Sequence, residues 1–194
     1  MSMQFANVWE RVADTVGDEI ALINGDKKSS WSSFDIKAAK IATILEEHGL
    51  KSDSKVGIYL HNSNEYLEAQ YGVFKIEGVP INVNYRYKEN ELIYLLDNAD
   101  AEAVFFQGCY ADRIKAIKDQ LPKIKAYIQV DDGTEPLMEG AIDFENSISS
   151  SKEQKRFNRT EENIYMLYTG GTTGMPKGVM YKPGSFIPSM LKTA

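Results

Sequence analysis

The chain has 194 residues, a length that suits one domain with a hydrophobic core and is short for two. Apolar residues make up 43% and charged residues 26%, a balance that excludes disordered and fibrous proteins. The net charge of −6 excludes a general nucleic-acid surface, because binding phosphates over a wide face needs clustered lysine and arginine.

The first predicted elements are a helix and a hairpin. The helix is predicted from apolar residues at helical spacing, Phe5, Val8, Trp9 and Val12. Residues 1–17 include charged side chains and no long apolar run, so no signal peptide is predicted. Strands at 20–24 and 29–31 are predicted to pair around a turn at Gly25-Asp26.

Two capped helices with a strand between them come next. The predicted helix starts are Ser32, with Asp35 three residues on, and Asn62, with Glu65 three residues on. Gly49 and Gly78 are the predicted stops. The run 56–60 is apolar without alternation, which is typical of a strand buried on both faces.

Strands and helices then alternate. Further strands are predicted at 79–83, 103–106, 125–130 and 164–169, with helices at 90–99 and around 114–121. Such alternation indicates an α/β fold, a mostly parallel βαβ sheet with helices on both faces. Ligands of such sheets usually lie beyond the carboxyl ends of the strands. Residues 131–160 interrupt the alternation and are predicted to form a polar surface loop, with one short helix near 144–148.

Cysteine and histidine give weak signals. The single cysteine, Cys109, cannot form an internal disulfide, which suits a reducing cytosol. It follows an apolar strand with no histidine nearby, so we interpret it as a packed thiol rather than a nucleophile. His48 and His61 have no partner at metal-ligand spacing, so no metal site is predicted. No run approaches 18 apolar residues, so we expect a cytoplasmic protein without a membrane span, a composition that is compatible with peripheral membrane contact.

One segment carries chemistry, the glycine-rich loop at 168–179. Four glycines, three threonines and Lys177 lie within these twelve residues, between two strand-like runs. Glycines let the backbone approach a ligand closely, and successive N–H groups then form an anion-binding concavity. Threonine hydroxyls add donors, and Lys177 adds a compact positive charge. The pattern predicts a phosphate cradle. It is not a Walker A loop, since Lys177 is followed by Gly178 and a strand rather than by Ser or Thr and a helix.

The segment Thr-Gly-Gly-Thr-Thr-Gly-Met-Pro-Lys-Gly closely resembles the AMP-binding signature of the adenylate-forming superfamily, usually Thr-Ser-Gly-Thr-Thr-Gly-x-Pro-Lys-Gly. Other segments are similar to the family's early strands and helices, at 31–35, 55–62, 65–84 and 90–106. The resemblance spans essentially residues 1–194. It identifies them as an incomplete N-terminal portion of an AMP-binding domain, the first part of the family's large N-terminal domain.

The resemblance implies an acyl-CoA synthetase, which joins a carboxylic acid to ATP and then passes the acyl group to CoA, with Mg²⁺ sharing the charge stabilisation. Gly170 in place of the usual serine, together with Met175 and Val179-Met180-Tyr181, resembles a subgroup of bacterial acyl-CoA synthetases that act on fatty or steroid side-chain acids, and Lys182-Pro183-Gly184 in the place of a common histidine agrees with it. The resemblance therefore implies a fatty or steroid side-chain acid as the substrate class. A homodimer is expected for the full-length enzyme. By position in the motif, the nucleotide-binding residues would be Thr169, Gly170, Gly171, Thr172, Thr173, Gly174 and Lys177.

Several family motifs are missing from the chain. They include the Tyr-Gly-x-Thr-Glu segment with its Mg²⁺-binding glutamate, the C-terminal lysine used in adenylation and the C-terminal domain. The resemblance therefore implies that the principal catalytic residues lie beyond residue 194. We expect the chain to be part of a longer enzyme and to be inactive alone.

Alternatives stay open at this stage. One is a non-catalytic relic or interaction module that keeps the fold, and another is an unrelated, kinase-like phosphate-binding protein. The glycine-rich loop is also shared by adenylation domains of peptide synthetases and by luciferase-like oxidases. The sequence therefore does not identify the acid that is activated, and it does not establish CoA as the acceptor of the acyl group.

Overall fold

The computed structural model describes residues 2–169 and 175–185. The helices with both ends placed are α1 Phe5–Val16, α2 Trp31–Glu47, α3 Asn64–Lys75, α4 Glu89–Asn98, α5 Ala111–Ile117 and α6 Phe144–Ser150. The strands are β1 Ile20–Asn24, β2 Lys27–Ser30, β3 Lys55–Tyr59, β4 Val79–Asn82, β5 Ala101–Gln107, β6 Ala126–Val130, β7 Ile142–Asp143, β8 Tyr165–Thr169 and β9 Lys177–Tyr181.

Within the described residues, seven strands form one sheet with the order β7-β6-β5-β3-β4-β8-β9. Every neighbouring pair is parallel except β8 and β9, which form an antiparallel hairpin. The first hairpin, β1–β2, is a separate two-stranded sheet. The mostly parallel α/β sheet predicted from the alternating pattern is therefore confirmed.

Helices cover both faces of this sheet. On one face Val56 and Ile58 of β3 pack in a cluster with residues of α2, α3 and α6. On the other face Tyr59 packs in a cluster with residues of α4 and α5. Val56, Ile58 and Tyr59 are each 0% exposed, which is why this strand shows no alternation of apolar and polar residues.

The two helices beside β3 approach each other closely at Gly72. A Cβ added there would lie 2.3 Å from Cγ2 of Ile41, so only glycine lets α3 pack at this distance from α2. The close packing fixes the position of the carboxyl end of α3, which carries Lys75.

Helix boundaries differ from the sequence prediction by one or two residues. Ser30, not Ser32, caps α2, because its side chain accepts a hydrogen bond from the backbone N–H of Ser33. Ser63, not Asn62, caps α3. Beyond α3 the left-handed conformation that favours glycine is taken by Glu77, at φ 57°, one residue before the predicted stop at Gly78.

The segment 131–160 contains the short helix expected near 144–148, present as α6, and the two-residue strand β7 precedes it. Residues 151–160 have no regular structure and most of them are exposed. Arg159 is the exception, since it is only 2% exposed. Residues 151–164, named here the crossing segment, carry the chain from α6 over the helices to β8.

A buried cluster of four charges holds the crossing segment in place. Nζ of Lys75 lies 2.7 Å from Glu10 and 2.8 Å from Asp35, and Nη1 of Arg159 lies 3.0 Å from Glu10. The four side chains belong to α1, α2, α3 and the crossing segment, and none is more than 12% exposed. Two acids face two bases, so the buried cluster, called here the ion-pair cluster, is neutral as a whole.

Asp35 shows the electrostatic balance of the ion-pair cluster. Burial alone would raise the pKa of its carboxyl group, but Lys75, Tyr71 and Arg156 together hold that pKa below its ordinary value. The hydroxyl of Tyr71 donates to Oδ1 at 2.5 Å, and Nη2 of Arg156 donates to Oδ2 at 2.7 Å. Asp35 therefore stays ionised at neutral pH despite its burial.

No helix in the described part of the chain is both long enough and apolar enough to cross a membrane.

Replacing Arg159 by alanine should strongly destabilise the fold. The change leaves Glu10 in a buried site with one cation fewer, a loss that typically costs about 3–5 kcal/mol in the free energy of unfolding. Chemical denaturation of the native gene's product measures it. The matched control is Lys27→Ala, which removes a partly exposed pair with Glu65 and should change that free energy by less than about 1 kcal/mol. Equal effects of the two changes would contradict the account.

Candidate functional site

The base of the glycine-rich loop is formed by two strands of the sheet. Thr169 ends β8 and Lys177 begins β9, and the two residues are the last pair of the antiparallel hairpin. Both side chains are exposed. They are the two predicted nucleotide-binding residues that the structure describes. The other predicted residues, Gly170, Gly171, Thr172, Thr173 and Gly174, lie outside the described residues.

The topology of the sheet brings this base to the edge where ligands usually bind. β8 runs parallel to β4 and pairs with it at Ile81 and Met166, so Thr169 leaves the sheet at the carboxyl ends of the parallel strands. Crevices at such ends are the usual ligand sites of α/β sheets. The glycine-rich loop therefore begins where the fold alone would place a ligand.

A cavity of about 330 Å³ lies at the same edge, beyond the ends of β3 and β4. Among the described residues, its lining consists of apolar, amide and phenol side chains without a formal charge. The lining residues are Leu60, Asn62, Tyr66, Asn82, Val83, Asn84, Tyr85, Tyr87 and Tyr168. The sequence prediction did not identify this cavity. The available signal was that asparagine and tyrosine residues directly follow two buried strands.

Hydrogen bonds fix the segment after β4 that forms one wall of the cavity. The buried Tyr59 donates its hydroxyl proton to the carbonyl of Tyr87 at 2.7 Å and accepts from Nη1 of Arg113 at 2.8 Å. Burial raises the pKa of Tyr59, although Arg113 opposes that shift. Burial likewise raises the pKa of Tyr66, whose hydroxyl donates to Oδ1 of Asn82 at 3.0 Å. These phenols remain neutral at physiological pH, so the wall stays uncharged.

A larger and more open cavity, of about 720 Å³, lies elsewhere, between α1 and the crossing segment. It is lined by Ser2, Asn7, Glu10, Arg11, Asp14, Arg156, Phe157 and Asn158. No residue at a strand end contributes to it. Size alone therefore does not make it the site, and the smaller cavity beside the glycine-rich loop is the better candidate.

The interpretation of Cys109 as a packed thiol was wrong, because the residue is exposed. It lies in a short 3-10 turn, Gly108–Tyr110, which starts after β5 has ended. Partial burial, and then the hydrogen bond and charge of Asp132, raise the pKa of the thiol. An activated nucleophile needs a lowered pKa, so this environment opposes nucleophilic catalysis by Cys109.

The two histidines have local hydrogen-bond partners. Nδ1 of His48 lies 2.8 Å from the carbonyl oxygen of Ile44, at the end of α2. Nε2 of His61 lies 2.5 Å from the hydroxyl of Tyr110. Within residues 2–169 and 175–185, no group of three His, Cys, Asp or Glu side chains is placed to hold a metal ion.

Comparison with known sequences identifies relatives over nearly the whole chain. The family model described as AMP-binding enzyme matches residues 9–194. The 3-oxocholest-4-en-26-oate–CoA ligase of Rhodococcus rhodochrous is 38% identical over 185 residues, which cover 94% of this chain and 33% of that protein. A medium/long-chain-fatty-acid–CoA/3-oxocholest-4-en-26-oate–CoA ligase of Mycolicibacterium smegmatis is also 38% identical, over 94% of this chain and 34% of its own length. The chain thus spans about a third of the length of these curated relatives.

Solved structures share the fold at lower sequence identity. An anthranilate CoA ligase in complex with anthranoyl-AMP aligns with a TM-score of 0.88 and 20% identity, over 98% of this chain and 37% of that one. The acetoacetyl-CoA synthetase of Streptomyces lividans aligns with a TM-score of 0.86 and 19% identity, over 98% of this chain and 32% of that one. At this identity the likeness shows the fold alone.

Replacing Asp132 by asparagine should make Cys109 more reactive. Loss of the negative charge lowers the pKa of the thiol, so a larger fraction is thiolate at pH 8 and alkylation by iodoacetamide is faster. Mass spectrometry of the peptide that contains Cys109 measures the rate. The control is Asp131→Asn, since Asp131 accepts from the N–H of Gly133 instead. An unchanged alkylation rate in Asp132→Asn, or an equally increased rate in the control, would contradict the conclusion that Asp132 raises the pKa of the Cys109 thiol.

Proposed function

The chain belongs to the AMP-binding enzyme family, and we propose from that premise that it forms the triphosphate-binding part of an acyl-CoA synthetase. A carboxylate oxygen of the substrate attacks the α-phosphate of ATP, the α–β bond breaks and pyrophosphate leaves. The thiol of CoA then attacks the carbonyl carbon of the acyl-adenylate, and AMP leaves. The observation that carries the proposal is the pairing of Thr169 with Lys177 at the carboxyl edge of the sheet.

The residues at the base of the glycine-rich loop fit a triphosphate. Lys177 is the strand partner of Thr169, so its positive charge lies on the strand next to the Thr169 hydroxyl, and both side chains are exposed. A fixed cation and hydroxyl donors stabilise the charge that develops on a leaving pyrophosphate. The proposed contacts are those of the motif, namely Thr169, Gly170, Gly171, Thr172, Thr173, Gly174 and Lys177.

Within the described residues no group of three His, Cys, Asp or Glu side chains could hold Mg²⁺, so the ion would bind mainly through the phosphates of ATP. Proteins commonly hold Mg²⁺ through substrate phosphates with only one or two carboxylates, and a dedicated cluster of acidic ligands is not needed. When bound with ATP, Mg²⁺ would neutralise part of the triphosphate charge, a task that it shares with Lys177. The residues of this chain supply the hydroxyl, backbone and ammonium donors to the remaining oxygens.

We propose a fatty or steroid side-chain acid as the substrate. The support is the 38% identity with ligases whose names contain 3-oxocholest-4-en-26-oate and, in one case, medium- and long-chain fatty acids. Residues 1–194 would be the first portion of the AMP-binding domain, with the catalytic residues and the C-terminal domain supplied by further sequence. A cytoplasmic location and a homodimer remain predictions.

The experiment that tests the reaction is ATP–pyrophosphate exchange with the complete product of the native gene. A panel of medium-chain, long-chain and steroid side-chain acids should support exchange, and adding CoA should yield the thioester. Amino acids should support none. Exchange with amino acids alone would favour a peptide-synthetase adenylation domain. No exchange with any acid would favour a non-catalytic protein that keeps the fold.

Replacing Lys177 by alanine should lower kcat/KM for ATP by about 10- to 150-fold, the range for losing one charged hydrogen bond. Steady-state exchange kinetics measure the change. Lys28→Ala is the matched control, because Lys28 is an exposed strand lysine of the other hairpin, β1–β2. Equal activity of the two variants would overturn the role given to Lys177.

A further inference from the structure

The strand that leads into the glycine-rich loop has little support from the sheet. β8 pairs with its parallel neighbour β4 at one register position, Ile81 with Met166. Its other neighbour, β9, is exposed along all five residues. Backbone pairing alone therefore leaves the direction of the hairpin weakly determined, and side-chain contacts must contribute to it.

Two tyrosines of β8 make such contacts on opposite faces. On one face the ring of Tyr165 lies 5.4 Å from that of Phe5 and 5.9 Å from that of Phe74, measured between centroids. Tyr168, three residues on, faces the other helical layer, because side chains alternate along a strand. Its hydroxyl donates to Oδ1 of Asn98, in the last position of α4, at 2.8 Å.

Tyr168 also lies against the second strand of the hairpin. It pairs with Gly178 in the register, and a Cβ added to Gly178 would lie 3.3 Å from two ring carbons of Tyr168. The absence of a side chain at Gly178 leaves space for the ring over the backbone of β9. One ring thus connects β8, β9 and α4.

We propose that Tyr168 and Asn98 are positioning residues for the glycine-rich loop. Tyr168 directly precedes Thr169, and Gly178 directly follows Lys177, so the ring lies next to both residues at the loop's base. Anchoring the hydroxyl of Tyr168 to Asn98 sets the direction in which the base presents its hydroxyl and ammonium groups. The inference rests on the proposed function, since the group to be positioned is the triphosphate of ATP.

The test compares Tyr168→Phe, which removes only the hydroxyl, with Asn98→Ala and Asn98→Asp in the complete product of the native gene. Tyr168→Phe and Asn98→Ala should each raise KM for ATP by about 2- to 12-fold, the range for one lost hydrogen bond, with kcat and KM for CoA unchanged. Asn98→Asp keeps an acceptor for the tyrosine and should restore the wild-type KM. The double variant should be no worse than either single variant.

Tyr127→Phe is the control, because the hydroxyl of Tyr127 contacts the carbonyl of Lys118 at 3.4 Å, on another strand. An unchanged KM in Tyr168→Phe, or the same change in the control, would overturn the inference while the wild-type exchange activity still upheld the proposed function.

A second readout needs neither nucleotide nor activity. Amide hydrogen exchange of a peptide covering residues 177–181 should be faster in Tyr168→Phe than in wild type if the ring's hydroxyl anchors the hairpin. Equal rates of amide exchange in the two proteins would overturn the inference, whatever their catalytic activity. Absence of ATP–pyrophosphate exchange in the wild type would instead count against the proposed function itself.

Discussion

Four charged side chains, none more than 12% exposed, meet where α1, α2, α3 and the crossing segment come together. Buried charges are stable only when they are paired, so this cluster tolerates few other arrangements of the chain around it. Arg159 belongs to the crossing segment, and its Nε also donates to the carbonyl of Lys75 at 2.8 Å. A segment without regular structure is thereby held to one path across the helices. That path determines where β8 joins the sheet.

The position of β8 determines the site. Because β8 is parallel to β4, its end and the ends of β3 and β4 meet at one edge of the sheet. Tyr168, at the base of the glycine-rich loop, therefore lines the cavity of about 330 Å³. Tyr165 and Tyr168 support the strand from the two helical layers. An exposed hairpin at the edge of the sheet is thus joined to a buried core.

Local patterns of the sequence predicted the sheet and the loop, and long-range contacts explain what they missed. The apolar run of β3 and the helical stripes depend on neighbouring residues, so the α/β fold could be predicted. The burial of Arg159 could not, because its partner Glu10 is 149 positions away in the sequence. The cavity combines residues from three separate segments, 60–66, 82–87 and Tyr168, which no spacing reveals. Ser30 and Ser32 are equally good caps by residue type, and the choice between them depends on where β2 ends.

The measurement that tests the account most directly is amide hydrogen exchange of the complete gene product with and without MgATP. A triphosphate held by the glycine-rich loop should protect peptides that cover residues 168–178, where β8 ends and β9 begins. Protection of the carboxyl ends of β3 and β4 should accompany it. Exchange that stays unchanged in residues 168–178 while protection appears elsewhere in the chain would contradict the central claim.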